Sequence, residues 1–179
     1  AGRLKGLGTN NLKGKAFVTS GLGGMSGAQA RALLVTGATG IIAEVDKDAI
    51  HQRIADHYIR QEDVFTDLDT MLTQFTAAKA AEEARCFVYQ GNIVDVWERL
   101  VFRHIQIELG SDQTSCHNID HLGYCPVECT FEEAKVLLDD DKEAFDHAVK
   151  RSLRRHVDSI NVMCSRGMYF WDYGNAFLF

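Results

Sequence analysis

The most informative segment of this chain is Thr19-Ser20-Gly21-Leu22-Gly23-Gly24-Met25-Ser26-Gly27. It follows a short apolar run, residues 16–19, whose composition predicts a β-strand. It precedes a run of small residues, 27–36, whose composition predicts a helix. A glycine-rich junction between a strand and a helix is the context that a dinucleotide-binding turn requires.

Each glycine of this turn has a role that the interpretation predicts. Gly21 would permit the sharp turn, Gly23 or Gly24 would let the backbone approach a pyrophosphate, and Gly27 would let the helix pack close to the strand. The helix N-terminus would offer N–H groups and a positive dipole end to the phosphates. The spacing departs from G-x-G-x-x-G, because Ser26 stands where the third glycine is expected. A glycine turn without a ligand therefore stays open as an alternative.

An acidic residue at the end of the next predicted strand, residues 41–45, favours the cofactor interpretation. Glu44 lies twenty positions after Gly24, where a carboxylate accepts hydrogen bonds from the ribose hydroxyls of NAD. A carboxylate at this place also repels a 2′-phosphate, so NAD is expected rather than NADP. The alternative is an ordinary exposed acid at a strand end.

A second glycine motif nearby, Val35-Thr36-Gly37-Ala38-Thr39-Gly40, is similar to the opening of short-chain dehydrogenases. That motif needs a third glycine near Ala43 and a helix after it, whereas residues 41–45 have β character. The Tyr-x-x-x-Lys pair of that class is absent from the chain. We therefore reject this motif as the cofactor site.

The rest of the chain continues the alternation of strands and helices. The pattern predicts further strands at 86–89, 105–109 and 168–171, with helices between them. N-caps are predicted at Asp46 and in two capping boxes, Thr66-x-x-Asp69 and Thr130-x-x-Glu133, and the acidic run 139–141 is predicted to interrupt a helix. The predicted fold is α/β: a Rossmann-like open, mainly parallel sheet with helices on both faces, in three layers. Residues 1–14 are expected to be a leading segment severed from an upstream domain, and residues 15–179 the NAD-binding domain.

Composition excludes several classes of function. With 179 residues, 46% of them hydrophobic and 25% charged, the chain suits one globular domain. The net charge of −6 argues against a nucleic-acid partner, since phosphate binding needs a basic face. No apolar run reaches the length of a membrane span. Five cysteines, an odd number without scaffold spacing, indicate reduced thiols and a cytoplasmic location.

Four segments in order resemble the urocanase family. They are residues 17–29 (Phe-Val-Thr-Ser-Gly-Leu-Gly-Gly-Met-Ser-Gly-Ala-Gln), 91–100 (Gly-Asn-Ile-Val-Asp-Val-Trp-Glu-Arg-Leu), 111–118 (Ser-Asp-Gln-Thr-Ser-Cys-His-Asn) and 170–177 (Phe-Trp-Asp-Tyr-Gly-Asn-Ala-Phe). The resemblance covers the chain from about Leu4 onward. It implies a lyase of histidine breakdown that adds water to urocanate to give imidazolonepropionate. In that family, tightly held NAD⁺ acts as an electrophile rather than as a hydride carrier.

The resemblance also implies which residues bind the cofactor. Residues of the glycine turn would line the pyrophosphate, Glu44 would hold the adenosine ribose, and residues after the later strands would face or wrap NAD. The complete predicted set is Gly23, Gly24, Met25, Ser26, Glu44, Asn92, Ile93, Gln113, Thr114, Ser115, Cys116, His117, Tyr124 and Tyr173.

Some features of the family are missing or changed. Bacterial members often carry arginine at the position of Ala49, so the adenosine contacts are expected to differ. The C-terminal signature that holds the family's reactive cysteine is absent from this sequence, and Cys116 belongs to another motif. Catalytic residues are therefore expected outside the chain, and the isolated domain is expected to be inactive. The full-length enzyme is expected to bind NAD and urocanate and to form a homodimer.

Several individual residues, and the chain as a whole, admit other interpretations. Cys116, His117, His121, Cys125 and Cys129 crowd together, but their spacing only approaches that of a zinc site, and no metal is predicted. Cys86 and Cys164 are predicted to be core residues. For the whole chain, the alternatives are a stand-alone NAD-dependent oxidoreductase, for which no proton-relay motif is found, and a non-catalytic module that contacts the rest of a longer chain or a second subunit.

Overall fold

The computed structural model describes residues 11–172, except for the side chain of His117, and these residues form one parallel sheet covered by helices. The strands are β1 (Ala16–Ser20), β2 (Thr39–Glu44), β3 (Val64–Phe65), β4 (Arg85–Gln90), β5 (Leu109–Asp112) and β6 (Tyr169–Asp172). Their order across the sheet is β3-β4-β2-β1-β5-β6, and every pair is parallel. The predicted Rossmann-like architecture is confirmed. Tyr173 lies outside the described residues.

Helices cover both faces of the sheet, so the three predicted layers are present. They are α1 (Ala28–Thr36), α2 (Lys47–Ala55), α3 (Leu68–Ala80), α4 (Ile93–Phe102), α5 (Phe131–Asp140) and α6 (Lys142–Ser165). One core cluster joins the sheet to α3, α4 and α6, and another joins it to α1 and α2. A smaller cluster packs α5 and α6 against residues after β5.

Side chains alternate between the two faces along each central strand. Val18 and Ile41 belong to the cluster on the α3 and α4 face, whereas Phe17 and Ile42 belong to the cluster on the α1 and α2 face. Because successive side chains of a strand point to opposite faces, a strand covered on both sides is apolar throughout. This explains why β1 and β2 are largely apolar in sequence and buried along their length in the structure.

The strand order places a switch point beside β1. The chain leaves β1 for α1 on one face, and it leaves β5 for helices that pack with the other face. Parallel strands whose connections diverge in this way leave a crevice at their carboxyl ends, and ligands of α/β sheets bind there. The glycine turn, residues 21–27, begins at the end of β1 and therefore borders that crevice.

The helix caps follow the sequence with one exception. Asp46 accepts a hydrogen bond from the Asp48 N–H at the start of α2, and Thr130 forms the predicted capping box of α5. The acidic run 139–141 separates α5 from α6, and Asp141 caps α6. The predicted capping box at Thr66 is wrong. Asp67 caps α3 instead, accepting from the Thr70 N–H at 2.8 Å, because a carboxylate in the N-cap position satisfies this donor directly.

Two strands were misplaced or missed. The predicted strand 105–109 is wrong: β5 begins only at Leu109, and Ile107 is buried in a loop. The true strand contains Gly110, where a Cβ would lie 2.8 Å from the Met168 sulfur, so the tight packing of β5 requires a residue that has no β propensity. The two-residue edge strand β3 was not predicted.

The two cysteines predicted to be core residues have different environments. Cys86 is buried in β4, whereas Cys164 is exposed near the end of α6, so that prediction is wrong for Cys164. An amphipathic helix of 24 residues presents most of its surface to solvent, and the position of Cys164 lies on that surface.

We expect the substitution Gly40→Ala to destabilise the fold. A Cβ at Gly40 would press into the side chain of Leu33 on α1 and would lie 3.0 Å from the carbonyl oxygen of Phe17. Forcing a methyl group into such a contact costs about 1–3 kcal/mol. Urea unfolding would measure the loss of free energy. Gly24→Ala is the matched control, since nothing lies within 4 Å of its added Cβ; equal stability of the two variants would contradict this packing.

Candidate functional site

An open crevice of about 450 Å³ lies at the carboxyl ends of β1, β2, β4 and β5. Its volume falls within the range of clefts that bind small ligands and cofactors, about 300–1,000 Å³. The crevice is lined by the glycine turn, by residues that follow β2 and β4, and by two parts of the segment after β5. It is therefore the place where the sequence predicts a cofactor.

The glycine turn has the backbone conformation that its sequence predicts at Gly21. Its φ of 89° lies in the left-handed region that favours glycine, and its N–H donates to the Ala43 carbonyl at 2.8 Å. The prediction for Gly27 is wrong. A Cβ there would lie 2.7 Å from the Arg53 side chain on α2, so Gly27 makes room for α2. The close approach of α1 to the sheet occurs at Gly40 on β2.

The N-terminus of α1 has no side-chain cap. Gly27 occupies the N-cap position without a side-chain hydrogen bond. Each of the other five α-helices in the described part of the chain has a capping side chain, from Asp46, Asp67, Asn92, Thr130 or Asp141. The uncapped helix start borders the crevice, and the positive end of the helix dipole attracts an anion there. The Gln29 and Ala30 N–H groups donate to the Ser26 and Gly27 carbonyls.

Glu44 lies at the end of β2 and lines the crevice. Its Oε2 accepts from the Leu22 N–H at 2.6 Å, and its Oε1 accepts from the Asp46 N–H at 2.9 Å. Each carboxylate oxygen has a second lone pair for a further donor, such as a ribose hydroxyl. Burial raises the pKa of Glu44 above its usual value, although both backbone N–H groups oppose the shift. The carboxylate thus links the glycine turn to β2.

Asn92 connects two walls of the crevice. As the N-cap of α4, it accepts from the Val94 N–H at 3.0 Å, and its Nδ2 donates to the Cys125 carbonyl at 2.8 Å. Residues 115–131, which we call the wall segment, run along the opposite side. Within this segment the Ser115 N–H donates to the Gly123 carbonyl at 2.8 Å. Asn92 therefore holds the wall segment beside the end of β4.

The loop that follows β5 contributes polar side chains to the crevice. Gln113, Thr114 and Ser115 all line it. The Nε2 of Gln113 is buried and has no hydrogen-bond partner among the described residues. A buried amide donor without a partner is costly, so a ligand acceptor at this position would be favourable. Both donors of Thr114, its N–H and its hydroxyl, are directed to Asp112.

Tyr124 lines the crevice from the wall segment, although only 1% of its surface is exposed. Its hydroxyl lies 3.3 Å from Nδ1 of His156, a fully buried residue of α6. Burial raises the pKa of Tyr124 and lowers the pKa of His156 to about 4. Both groups are therefore neutral at pH 7, and α6 holds the tyrosine in place.

Two thiols beside the crevice, those of Cys116 and Cys125, are withdrawn from solvent to different degrees, Cys125 being buried and Cys116 half-buried. Burial raises the pKa of Cys116 to about 11 and that of Cys125 to about 12, so both stay protonated at neutral pH. Cys116 packs against two core clusters, and it is not among the described residues that line the crevice. Its predicted contact with the cofactor therefore has no support from its position.

Most of the predicted binding residues meet at the crevice. Those that line it are Gly23, Gly24, Met25, Ser26, Glu44, Asn92, Ile93, Gln113, Thr114, Ser115 and Tyr124. The side chain of His117 and all of Tyr173 lie outside the described part of the chain. The contact of these crevice residues with a cofactor stays a prediction.

Sequence reasoning missed several residues of the crevice wall. Phe131, Leu122 and Cys125 come from the wall segment, and Val45 and Asp46 follow β2. Val45 and Asp46 could have been found, because residues after a parallel strand border the crevice. Phe131 reaches it through the tertiary packing of α5, for which the sequence carries no signal.

Residues 11–172 contain neither a cluster of metal ligands nor a helix suited to crossing a membrane. No group of three or more His, Cys, Asp and Glu residues is arranged there to hold a metal ion. None of the helices in this range combines the length and the apolar character needed to cross a membrane.

Comparison with known proteins gives a family match over nearly the whole chain. The family described as "Urocanase Rossmann-like domain" matches residues 2–179. The chain is similar to urocanate hydratase of Mus musculus, with 48% identity over 96% of the chain. It is also similar to a probable urocanate hydratase of Dictyostelium discoideum, with 46% identity over 99% of the chain, and to urocanate hydratase of Homo sapiens, with 45% identity over 96%. In each case the chain spans 26% of the relative's length.

Proposed function

This chain belongs to the urocanase family, and we propose that it binds NAD in the crevice at the carboxyl ends of β1, β2, β4 and β5. The observation that carries the proposal is the arrangement of the glycine turn, the uncapped start of α1 and Glu44 around one crevice. The diphosphate of NAD would contact the glycine turn and the start of α1, and the adenosine ribose would contact Glu44.

Three features of the crevice fit a dinucleotide. Gly24 has no side chain, so the space beside the glycine turn is open at this position. The start of α1 presents the positive end of the helix dipole without a competing carboxylate, since the first turn of α1 contains no acid. The buried Nε2 of Gln113 offers a donor that lacks a partner in the described structure. All three features favour an anionic ligand with further hydrogen-bond acceptors.

For the longer protein that contains this domain, we propose the addition of water to urocanate, giving imidazolonepropionate, as a step of histidine breakdown in the cytoplasm. Bound NAD⁺ would supply an electron-poor nicotinamide ring that withdraws electrons from the imidazole ring of urocanate. The described residues hold and orient the dinucleotide, and no group for general acid or base chemistry is assigned to them. Turnover of urocanate by this chain alone is not expected. The homodimer of the longer protein stays a prediction.

The relatives do not favour the alternative of a stand-alone oxidoreductase. All of those named are urocanate hydratases. The neutral and buried pair of Tyr124 and His156 is also unsuited to relaying protons, because burial moves both pKa values away from neutrality in the direction of the uncharged forms. A screen for NADH production with small alcohols and hydroxy acids is expected to give no signal.

The substitution Glu44→Gln tests the proposed role of Glu44. Hydrogen bonds to a charged group contribute about 1.5–3 kcal/mol, so we expect NAD to bind about 10- to 100-fold more weakly by calorimetry. The carboxylate also repels a 2′-phosphate, so the preference for NAD over NADP is expected to shrink. Because Glu44 accepts from the Leu22 and Asp46 N–H groups, the unfolding midpoint is measured in parallel, and affinities are compared where both proteins are folded.

Glu143→Gln is the matched control, since the Glu143 side chain is 90% exposed on α6 and is not among the described residues that line the crevice. A pH series adds a second readout. Burial raises the pKa of Glu44, and ribose hydroxyls donate to the ionised form, so NAD affinity is lost as pH falls through this raised pKa. Glu44→Gln should lack this loss. Equal affinities of wild type and Glu44→Gln, at every pH tested, would contradict the proposed role.

A further inference from the structure

The backbone pairing between β1 and β5 stops near the crevice before either strand ends. The backbone register joins Phe17 to Leu109 and Val18 to Gly110, whereas the strands continue to Ser20 and Asp112. Separation is a requirement of the switch point, because the two chains must leave toward opposite faces of the sheet. The backbone ladder therefore does not set the distance between the two strand ends that border the crevice.

Side-chain hydrogen bonds continue the pairing where the backbone ladder stops. Thr19 Oγ1 lies 2.8 Å from Ser111 Oγ, and the Ser20 hydroxyl donates to Asp112 Oδ1 at 2.8 Å. These pairs keep the register of the ladder, residue 19 with 111 and residue 20 with 112. All four residues are buried, so solvent does not compete with these bonds. We call them the side-chain bridge.

Asp112 extends the side-chain bridge into the loop after β5. Its Oδ2 accepts from the Thr114 N–H at 2.8 Å and also from the Thr114 hydroxyl. The Ser20 hydroxyl oxygen accepts in turn from the Gln113 N–H at 3.1 Å. Hydrogen bonds of this kind compensate for the burial of a carboxylate. They also fix the first two residues of the loop relative to the start of the glycine turn, and a Cβ at Gly21 would lie 3.4 Å from the Gln113 Cβ.

We propose that Asp112 is a positioning residue that sets the width of the crevice through Ser20 and Thr114. Asp112 is not among the described residues that line the crevice, so it acts through its partners. The side-chain bridge holds the glycine turn and the loop with Gln113 at the separation that a diphosphate needs. The expected effect of Asp112 on NAD binding rests on the proposed function. Its expected effect on the backbone amides of Gln113 and Thr114 does not.

The substitutions Asp112→Asn, Ser20→Ala and their combination test this proposal. An asparagine turns one acceptor into a donor that faces the Ser20 or Thr114 donors, and an alanine removes the bridging hydroxyl. Each single variant is expected to weaken NAD binding on the order of tenfold. The double variant is expected to be little worse than either single one, because both changes interrupt one network. In amide NMR spectra, the Thr114 signal should move in Asp112→Asn and the Gln113 signal in Ser20→Ala.

Asp63→Asn is the matched control. Asp63 is also a buried carboxylate, 3% exposed, but it accepts from Arg60 and Arg85 next to β3, at the other edge of the sheet. It should lose stability while NAD affinity and the Thr114 and Gln113 signals stay unchanged. If Asp63→Asn weakens NAD binding as much as Asp112→Asn does, or if the two bridge substitutions add fully, positioning by Asp112 is wrong.

The outcomes separate this proposal from the proposed function. If folded wild-type protein binds no NAD, the proposed function fails, and the amide signals alone decide about Asp112. The proposal stands if the Thr114 signal moves in Asp112→Asn and not in Asp63→Asn, and it fails if that signal moves in neither variant or in both. If Asp112→Asn does not fold, Ser20→Ala breaks the same bridge from the other strand, and its NAD affinity and Gln113 signal give the answer.

Discussion

Gly24→Val is expected to abolish most NAD binding while the protein keeps its stability. A Cβ added at Gly24 meets nothing within 4 Å, and Gly24 is not one of the glycines with positive φ, so a side chain fits the fold. The valine would stand in the crevice, where backbone N–H groups are to approach a diphosphate. Loss of two hydrogen bonds to a charged group costs about 3 kcal/mol or more, which weakens binding on the order of 100-fold. Calorimetry and urea unfolding measure the two quantities.

Gly40→Ala provides the reciprocal control for Gly24→Val. It lies at the amino end of β2, away from the crevice, and it should lose stability while NAD affinity is kept. Gly24→Ala should show an intermediate loss of affinity, because its methyl group is smaller than the valine side chain. Unchanged affinity in Gly24→Val would show that the diphosphate does not bind at the glycine turn.

Acid is expected to destabilise the protein through His156. This residue is fully buried, and burial lowers its pKa to about 4, with the charge of Asp112 opposing the shift only in part. As pH falls below about 6.5, the unfolded chain binds a proton at this histidine and the folded protein does not. The free energy of unfolding therefore falls between pH 6.5 and pH 4. The total for a shift of this size is about 3 kcal/mol.

Urea unfolding of wild type and of His156→Gln at pH 7 and pH 4.5 measures this effect. Glutamine can still form a hydrogen bond with the Tyr124 hydroxyl but takes up no proton. The stability of the His156→Gln protein should therefore depend less on pH, whatever its stability at pH 7. His147→Gln is the control, because His147 is an exposed histidine on the same helix. Parallel pH dependence of wild type and His156→Gln would contradict the burial of a neutral histidine.

Local patterns predicted the features that depend on neighbouring residues. The turn at Gly21, the caps at Asp46 and Thr130, and the break in the helix at residues 139–141 all involve contacts within a few residues. The continuous apolar runs of β1 and β2 report that both faces of the sheet are covered. Each of these signals lies within one short stretch of sequence, so it can be recognised without knowledge of the rest of the fold.

Packing between distant segments produced the errors. Gly27 was assigned to helix–strand packing, but the side chain that it accommodates is Arg53, whose approach follows from the orientation of α2. The position of β5 depends on Gly110, which is required by Met168 and by other side chains that pack on it from elsewhere in the chain. A glycine in the sequence indicates that a side chain would not fit at its position. The sequence does not indicate which neighbouring residue occupies that space.

The α/β class, the parallel sheet, the glycine turn and the acid at the end of β2 all follow from the amino-acid sequence. Periodicity and turn chemistry are local properties that a few consecutive residues express. Three contacts are visible only in the folded chain: Asp112 bridges to Ser20 across 92 positions, Asn92 holds the wall segment, and His156 is buried against Tyr124. These contacts join elements whose distance in space is set by the packing of the whole sheet and its helices, so no short pattern can encode them.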